Sequence, residues 1–267
     1  YIFARYESNG EGGEDTPERL VAFCQRLARD HGFKVFKYKG GVFEPDFDLD
    51  VLRLMRRNLG TKAKLRIDPN ANWGFETALR FGKEALALDL EYLEDPVWGL
   101  DTMARLRRDL HIPFATNMCV VDFDTLPTGI RLGSVDIVLA DPHKWGGLWQ
   151  TKKLAAVCQA FGLGMGIHSG AEAGISTAAN LHVAASTPQM YFAMDSHYHH
   201  LSDDIIEGGM HPYIDGQMVV PTGPGLGVTV DEDKLAHYAE RFARQGDSVF
   251  AGQDAFRPRR LPRRPMW

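Results

Sequence analysis

The sequence predicts an α/β protein built as a TIM-like (β/α)7β barrel, and three observations carry that expectation. Short apolar strand segments alternate with amphipathic helical ones through residues 1–200, the order that yields a parallel sheet. Eight strand candidates can be read, each but the last followed by a helix, which suits a closed barrel better than an open sheet. A polar or charged residue recurs where seven successive strands end, at Lys39, Asp68, Glu94, Asn117, Asp141, His168 and Asp195, in steps of 29, 26, 23, 24, 27 and 27 residues. Each step is about one βα unit, so in a barrel these ends converge on one mouth, where this fold carries its chemistry.

Taken in order, residues 1–7 alternate loosely as a first strand, and an acidic Gly-rich loop leads to Thr16-Pro17-Glu18. That triplet is a good helix start for the amphipathic run to Asp30, which Gly32 ends. Residues 35–41 read as a strand, 47–60 as a helix closed by Gly60, and 64–70 as the next strand. The alternation continues with helices near 75–88, 100–110, 125–132, 147–161 and 174–186, and strands at 92–96, 114–118, 136–142, 165–170 and 191–197. Residues 1–200 are thus expected to form the barrel that holds the site. Residues 201–245 hold a polar loop, a short hairpin, Gly/Pro-rich turns and a helix over 232–243, and residues 246–267 are expected to be a flexible Pro/Arg-rich tail.

Composition narrows the class. The chain has 267 residues, 44% hydrophobic and 24% charged, within the range of one large globular domain. It contains no run of 18 apolar residues and its first residues have no signal-peptide pattern, so no membrane association is expected. Cys24, Cys119 and Cys158 are odd in number and scattered, which favours a reducing cytoplasm over a disulfide framework. A net charge of −5 argues against nucleic acid as a partner.

The strand ends then suggest chemistry. Pro69 must end sheet pairing after Leu65–Ile67, leaving Asp68 and Asn70 on one face; a turn or helix cap is the alternative for this pair alone. Asp68, Glu94 and Asn117 lie on three consecutive strands and offer only oxygen, a set that suits Mg²⁺. Lys37 and Lys39 share one strand face, making one a candidate base and the other its electrostatic partner, although a solvated pair is the plainer explanation in isolation. Asp141 and His168 end adjacent strands, and a carboxylate beside an imidazole fixes its tautomer for acid/base work. Lys39 and His168 flanking a metal suit proton abstraction next to a carboxylate.

The segments FKYKGG, IDPNANW, LEDP, ATNM, LADPHKW, GIHS, AMDSH and VPTGPGLGV occur in that order between residues 33 and 230. Together they resemble the enolase superfamily, whose barrel is shared by mandelate racemase and muconate lactonizing enzyme, and within it the glucarate dehydratase subgroup. The resemblance implies Lys39 as a base, Lys37 as its partner near the substrate carboxylate, and His168 with Asp141 as the opposing dyad. It also implies Asp68, Glu94 and Asn117 as Mg²⁺ ligands, and Asn70, Ser169, Asp195 and His197 as residues at the substrate.

The implied activity is a Mg²⁺-dependent acid-sugar dehydratase acting on an aldarate or aldonate, a carbon–oxygen lyase expected to be a cytoplasmic homo-oligomer. An acid-sugar racemase or epimerase and a non-catalytic barrel paralogue or fragment are the alternatives. Three departures stand out. Most of the family's N-terminal α+β capping domain, against which residues 201–245 would pack, is missing from this chain. Residues 170–176 read GAEAGIS where the subgroup has an amide-rich segment, and the C-terminal arginine expected near a distal carboxylate has no counterpart.

Overall fold

The computed structural model describes residues 1–5, 7, 12–188 and 191–245; the tail expected over 246–267 and most of the acidic loop before Gly12 lie outside these residues. Six parallel strands run in strict sequence order: β1 (Val35–Tyr38), β2 (Lys64–Ile67), β3 (Leu90–Glu94), β4 (Phe114–Thr116), β5 (Ile137–Ala140) and β6 (Gly164–Ile167). They form the curled sheet of a barrel. Each is followed by a helix that returns the chain to the same end: α1 (Pro17–His31) precedes β1, then come α2 (Pro45–Leu59), α3 (Phe75–Ala85), α4 (Leu100–Asp109), α5 (Leu126–Leu132), the single turn α6 (Pro142–Trp145), α7 (Leu148–Phe161) and α8 (Gly174–Ala185). The punctuation read from sequence operates as expected at α1, where Thr16 Oγ1 accepts from the Arg19 N–H, Pro17 opens the helix and Gly32 closes it in the left-handed region.

Among the described residues the expected eight barrel strands become six, with two extended segments completing the ring. Residues 1–3 contribute one parallel bridge, Ile2 to Tyr38, fastened by Ile2 N–H to Lys37 O (2.8 Å) and Lys39 N–H to Ile2 O (2.9 Å). Residues 191–197, expected as the last strand, form none: Asp195 N–H reaches Ile167 O (3.0 Å), and the Tyr1 backbone nitrogen reaches Ser196 O (3.0 Å). Beside β6 the contact is made by a side chain instead: the Phe192 ring packs over Gly164, where an added Cβ would lie 2.6 Å from it.

Alternation along each strand separates two cores. The outward residues, among them Phe36, Leu65, Ile67, Leu93, Phe114, Val138 and Ile167, join the helices in the principal hydrophobic cluster. Tyr92, Ala115, Ile137 and Leu139 form a separate small cluster closed by Phe192. Lys37, Arg66 and Tyr92 share their strand faces with Lys39, Asp68 and Glu94 by the same period of two, which places the latter at the strand ends.

After the barrel, β7 (Tyr213–Ile214) and β8 (Gln217–Met218) form the expected antiparallel hairpin, and α9 (Glu232–Gln245) is the expected final helix. No helix among the described residues is long and apolar enough to cross a membrane.

The turn after β1 is held by a buried acid. Asp48, on α2, accepts from Tyr38 OH (2.7 Å) and the Gly41 N–H (2.7 Å), and burial, opposed by those two hydrogen bonds, pushes its pKa up to about 7. Gly41 sits at φ +74°, and an added Cβ would lie 2.6 Å from Pro69 O. Gly41→Ala is therefore expected to cost about 1–3 kcal/mol, read as a lower urea midpoint. Because the folded pKa of Asp48 is raised, its protonated form favours folding below about pH 4, and that contribution is lost as pH rises through about 7. The stability of the wild type relative to Asp48→Asn should fall across that window; parallel urea-midpoint curves for the two proteins would rule this out.

Candidate active site

Period-two alternation and parallel register bring the expected residues together at one end of the barrel. Lys39 follows β1, Asp68 follows β2, Glu94 ends β3, Asn117 follows β4, Asp141 follows β5 and His168 follows β6. Their neighbours in the ladder fix the relative heights: Lys37 pairs with Arg66, and Leu93 with Phe114. Asp68, Glu94, Asn117, Asp141 and His168 are all buried.

Electrostatics organise the first half of the ring. Lys37 is buried and lies in ion pairs with Glu94, with Asp195 (2.8 Å) and with Asp68 (3.8 Å), while Lys39 pairs directly with Asp68. Burial alone would lower the Lys37 pKa, but the carboxylates of Asp195, Glu94 and Asp68 outweigh it and hold the ammonium charged. Asp68 is likewise held below the usual carboxylate range: burial works against this, and the two lysines and the Asn70 N–H (2.8 Å) win.

Glu94 behaves differently. Burial, followed by the nearby charge of Asp68, pushes its carboxyl well above the usual range. Neither of its oxygens accepts a hydrogen bond, although Oε2 lies against the Lys37 ammonium. A wholly buried carboxylate with an open oxygen, between Asp68 and Asn117 on the flanking strands, fits a hard divalent cation that takes oxygen ligands. Asn117 is fixed from behind: its N–H donates to Asp95 Oδ2 (2.9 Å), and Asp95 also accepts from Thr116 Oγ1.

On the other side, His168 Nδ1 lies 2.9 Å from Asp141 Oδ2. The acceptor assigns the proton to Nδ1 and leaves Nε2 as the working nitrogen. Lys144 Nζ approaches the same Asp141 oxygen at 3.1 Å and donates to Asn117 O (3.0 Å), tying the dyad to the strand that carries Asn117. Burial opposes ionisation of Asp141, but hydrogen bonds from His168 and Lys144 keep its pKa below the usual value.

The residues expected at the substrate divide. Asn70 is exposed, in the left-handed region at φ 51°. Ser169 Oγ lies 3.0 Å from His197 Nδ1 and donates to Glu172 (2.6 Å). Asp195 is placed differently: it is buried, and its oxygens take Lys37 (2.8 Å), Tyr1 OH (3.1 Å), Arg66 (3.0 Å) and Tyr92 OH (3.4 Å). With both oxygens spent on protein donors, Asp195 is a counter-ion beneath the site in this geometry.

Sequence reasoning missed Arg66, Tyr1 and Tyr92. Arg66 was legible in principle, because it stands two residues before Asp68 on the same strand face. Tyr1 carried no such signal: its ring lies 3.9 Å from that of His197 and 4.7 Å from the ammonium groups of both Lys37 and Lys39, contacts made only by ring closure.

Residues 19–234 match the family described as enolase C-terminal domain-like. A probable glucarate dehydratase from Streptomyces coelicolor is 39% identical over 236 residues, covering 88% of this chain and 54% of that protein. An arabinonate dehydratase from Saccharolobus solfataricus is 31% identical over 210 residues, covering 78% of this chain and 56% of that protein. The chain thus spans a little over half the length of these curated relatives. Among solved structures, an enolase from Pseudomonas fluorescens with bound magnesium, potassium and tartrate superimposes with a TM-score of 0.89 at 36% identity, covering 98% of this chain and 62% of that one. On the family match and these likenesses, the chain belongs to the enolase C-terminal domain-like family of the enolase superfamily.

Proposed function

We propose that this chain carries the chemical centre of a Mg²⁺-dependent acid-sugar dehydratase. The observation that supports it best is the placement of Lys39 and of the His168–Asp141 pair at the two ends of the six-strand ladder, with Asp68, Glu94 and Asn117 on the strands between. The dehydratase names of two relatives point the same way. Asp68, Glu94 and Asn117 would hold the Mg²⁺, which when bound supplies positive charge to offset the charge that builds on a substrate carboxylate as its α-proton leaves.

The chain's own groups do the proton work. Lys39, acting as the neutral amine, takes the α-proton on Nζ from one face of the substrate. Lys37, held among Asp195, Glu94 and Asp68, presents a fixed ammonium near the substrate carboxylate. His168, with Nδ1 fixed by Asp141, gives the proton on Nε2 to the departing β-hydroxyl, which leaves as water. The enol that remains tautomerises to a 2-keto-3-deoxy acid. Asn70, Ser169 and His197 line the approach of the polyol. For a substrate of the opposite configuration at the α-carbon, His168 takes the α-proton in place of Lys39.

An acid-sugar racemase or epimerase is the second reading, because two proton-transfer groups at opposite ends of the ladder suit exchange of one proton between faces. Incubation of a full-length form with a panel of aldarates and aldonates separates the two. The dehydratase gives 2-keto-3-deoxy product with Mg²⁺ and none after chelation; solvent deuterium incorporation with inverted configuration and no dehydration would favour the epimerase. Absence of turnover of every acid sugar with Mg²⁺ present would sink the dehydratase reading.

The two-face assignment is separately testable. Lys39→Ala and His168→Ala should each lower kcat by about 10²–10⁴-fold for the diastereomer whose α-proton faces that residue. Equal loss on every diastereomer in both variants would refute it.

A further inference from the structure

Beside the reaction centre, on the side away from Asp68 and Glu94, a second group of donor atoms converges. Asp141 at the end of β5, His143 in the turn α6 and Glu172 in the loop after β6 each present one ligand atom, all within 4.8 Å of one another. We propose that these residues bind a borderline transition-metal ion such as Zn²⁺ or Co²⁺, at a site separate from the oxygen-only set of Asp68, Glu94 and Asn117.

The two oxygens of Asp141 do different work. His168 Nδ1 (2.9 Å) and Lys144 Nζ (3.1 Å) both lie against Oδ2, whereas Oδ1 faces His143 Nδ1 at 3.7 Å. Donor atoms on a tetrahedral ion with bonds of ~2.1 Å stand ~3.4 Å apart, so this pair is already close to ligand spacing. The His143 side chain is 57% exposed and free to turn through the remaining distance.

Glu172 is pre-positioned: its oxygens accept from Ser169 Oγ (2.6 Å) and the Gly170 N–H (2.6 Å), and a carboxylate keeps lone pairs beyond those two bonds. This acid lies in the GAEAG segment, where the sequence departs from the pattern it otherwise resembles.

The donor set decides the class of ion. One imidazole nitrogen with two carboxylates, partly open to water, binds Zn²⁺ or Co²⁺ well, while Mg²⁺ prefers oxygen alone. Two facing carboxylates gain from a dication, and Lys144 supplies only one positive charge, to the oxygen that the ion does not use. Bound there, the ion would tie the turn after β5 to the loop after β6 and draw charge from the carboxylate that orients His168. The site stands independently of the dehydratase reading, since its test measures binding.

The test is calorimetric titration of Zn²⁺ into the full chain held in excess Mg²⁺, with the visible absorption of Co²⁺ as a second readout. One Zn²⁺ per chain is expected. His143→Ala and Glu172→Gln should each weaken it by at least about tenfold, with far-UV circular dichroism unchanged. His237→Ala, at an exposed histidine on α9, should bind as the wild type does. No zinc binding by the wild type, or unchanged affinity in either His143→Ala or Glu172→Gln, would overturn the proposal.

Discussion

Charge compensation inside the barrel is the constraint on which the rest of the structure depends. Asp68, Glu94 and Asp195 are wholly enclosed, and each would resist ionisation without a partner. Lys37 reaches all three, Lys39 adds to Asp68, and Arg66 spans from Asp195 to Glu91 (2.6 Å). Removing one member of such a set leaves an unpaired buried charge, typically about 3–5 kcal/mol. The interior charges therefore select one register for β1, β2 and β3, because a one-residue slip would turn Lys37, Arg66 and Tyr92 into the helix-facing core.

That register has consequences for the loops above. Strand ends fixed in height let backbone groups carry the turns: Gly40 N–H donates to Asp68 O (3.1 Å), and Ala71 N–H to Asp95 O (2.6 Å). Asn70, Ala71 and Asp95 adopt positive φ just past strands β2 and β3, conformations that non-glycine residues hold only when their surroundings determine them. Asp95 is pushed up to about 7, first by burial and then by the nearby charge of Asp68, while the hydrogen bonds it accepts from Thr116 and Asn117 pull the other way. The adjacent acids in the LEDP segment thus have different tasks: Glu94 faces the mouth, and Asp95 braces the next strand.

The mouth itself is asymmetric. The β1–β3 side is dominated by Lys37, Lys39 and enclosed acids, the β5–β6 side by the buried Asp141–His168 pair with Lys144 exposed and Glu172 half-buried beside it. Asn117 and Lys144 connect the halves through one hydrogen bond. Lys37 holds fixed charge on the first side, while the two proposed proton-transfer groups, Lys39 and His168, stand at opposite ends of the ladder.

Much of this is legible in the sequence. The six ladder strands, their helices and the strand-end residues follow from alternation, Pro and Gly punctuation and βα spacing, all of which are local along the chain. What sequence could not supply depends on which segments meet. Residues 191–197 have strand-like composition, yet they form no strand and meet β6 through the Phe192 ring over Gly164 and the Asp195 N–H bond to Ile167 O. Asp195 occupies the expected place but is turned inward by Lys37, Arg66 and two tyrosines, partners 103 to 194 residues distant in sequence. Residue type and period decided which side chains face the barrel interior; only ring closure decided which of them stay at its mouth and which become counter-ions, because the pairing of buried charges is set by contacts across the fold.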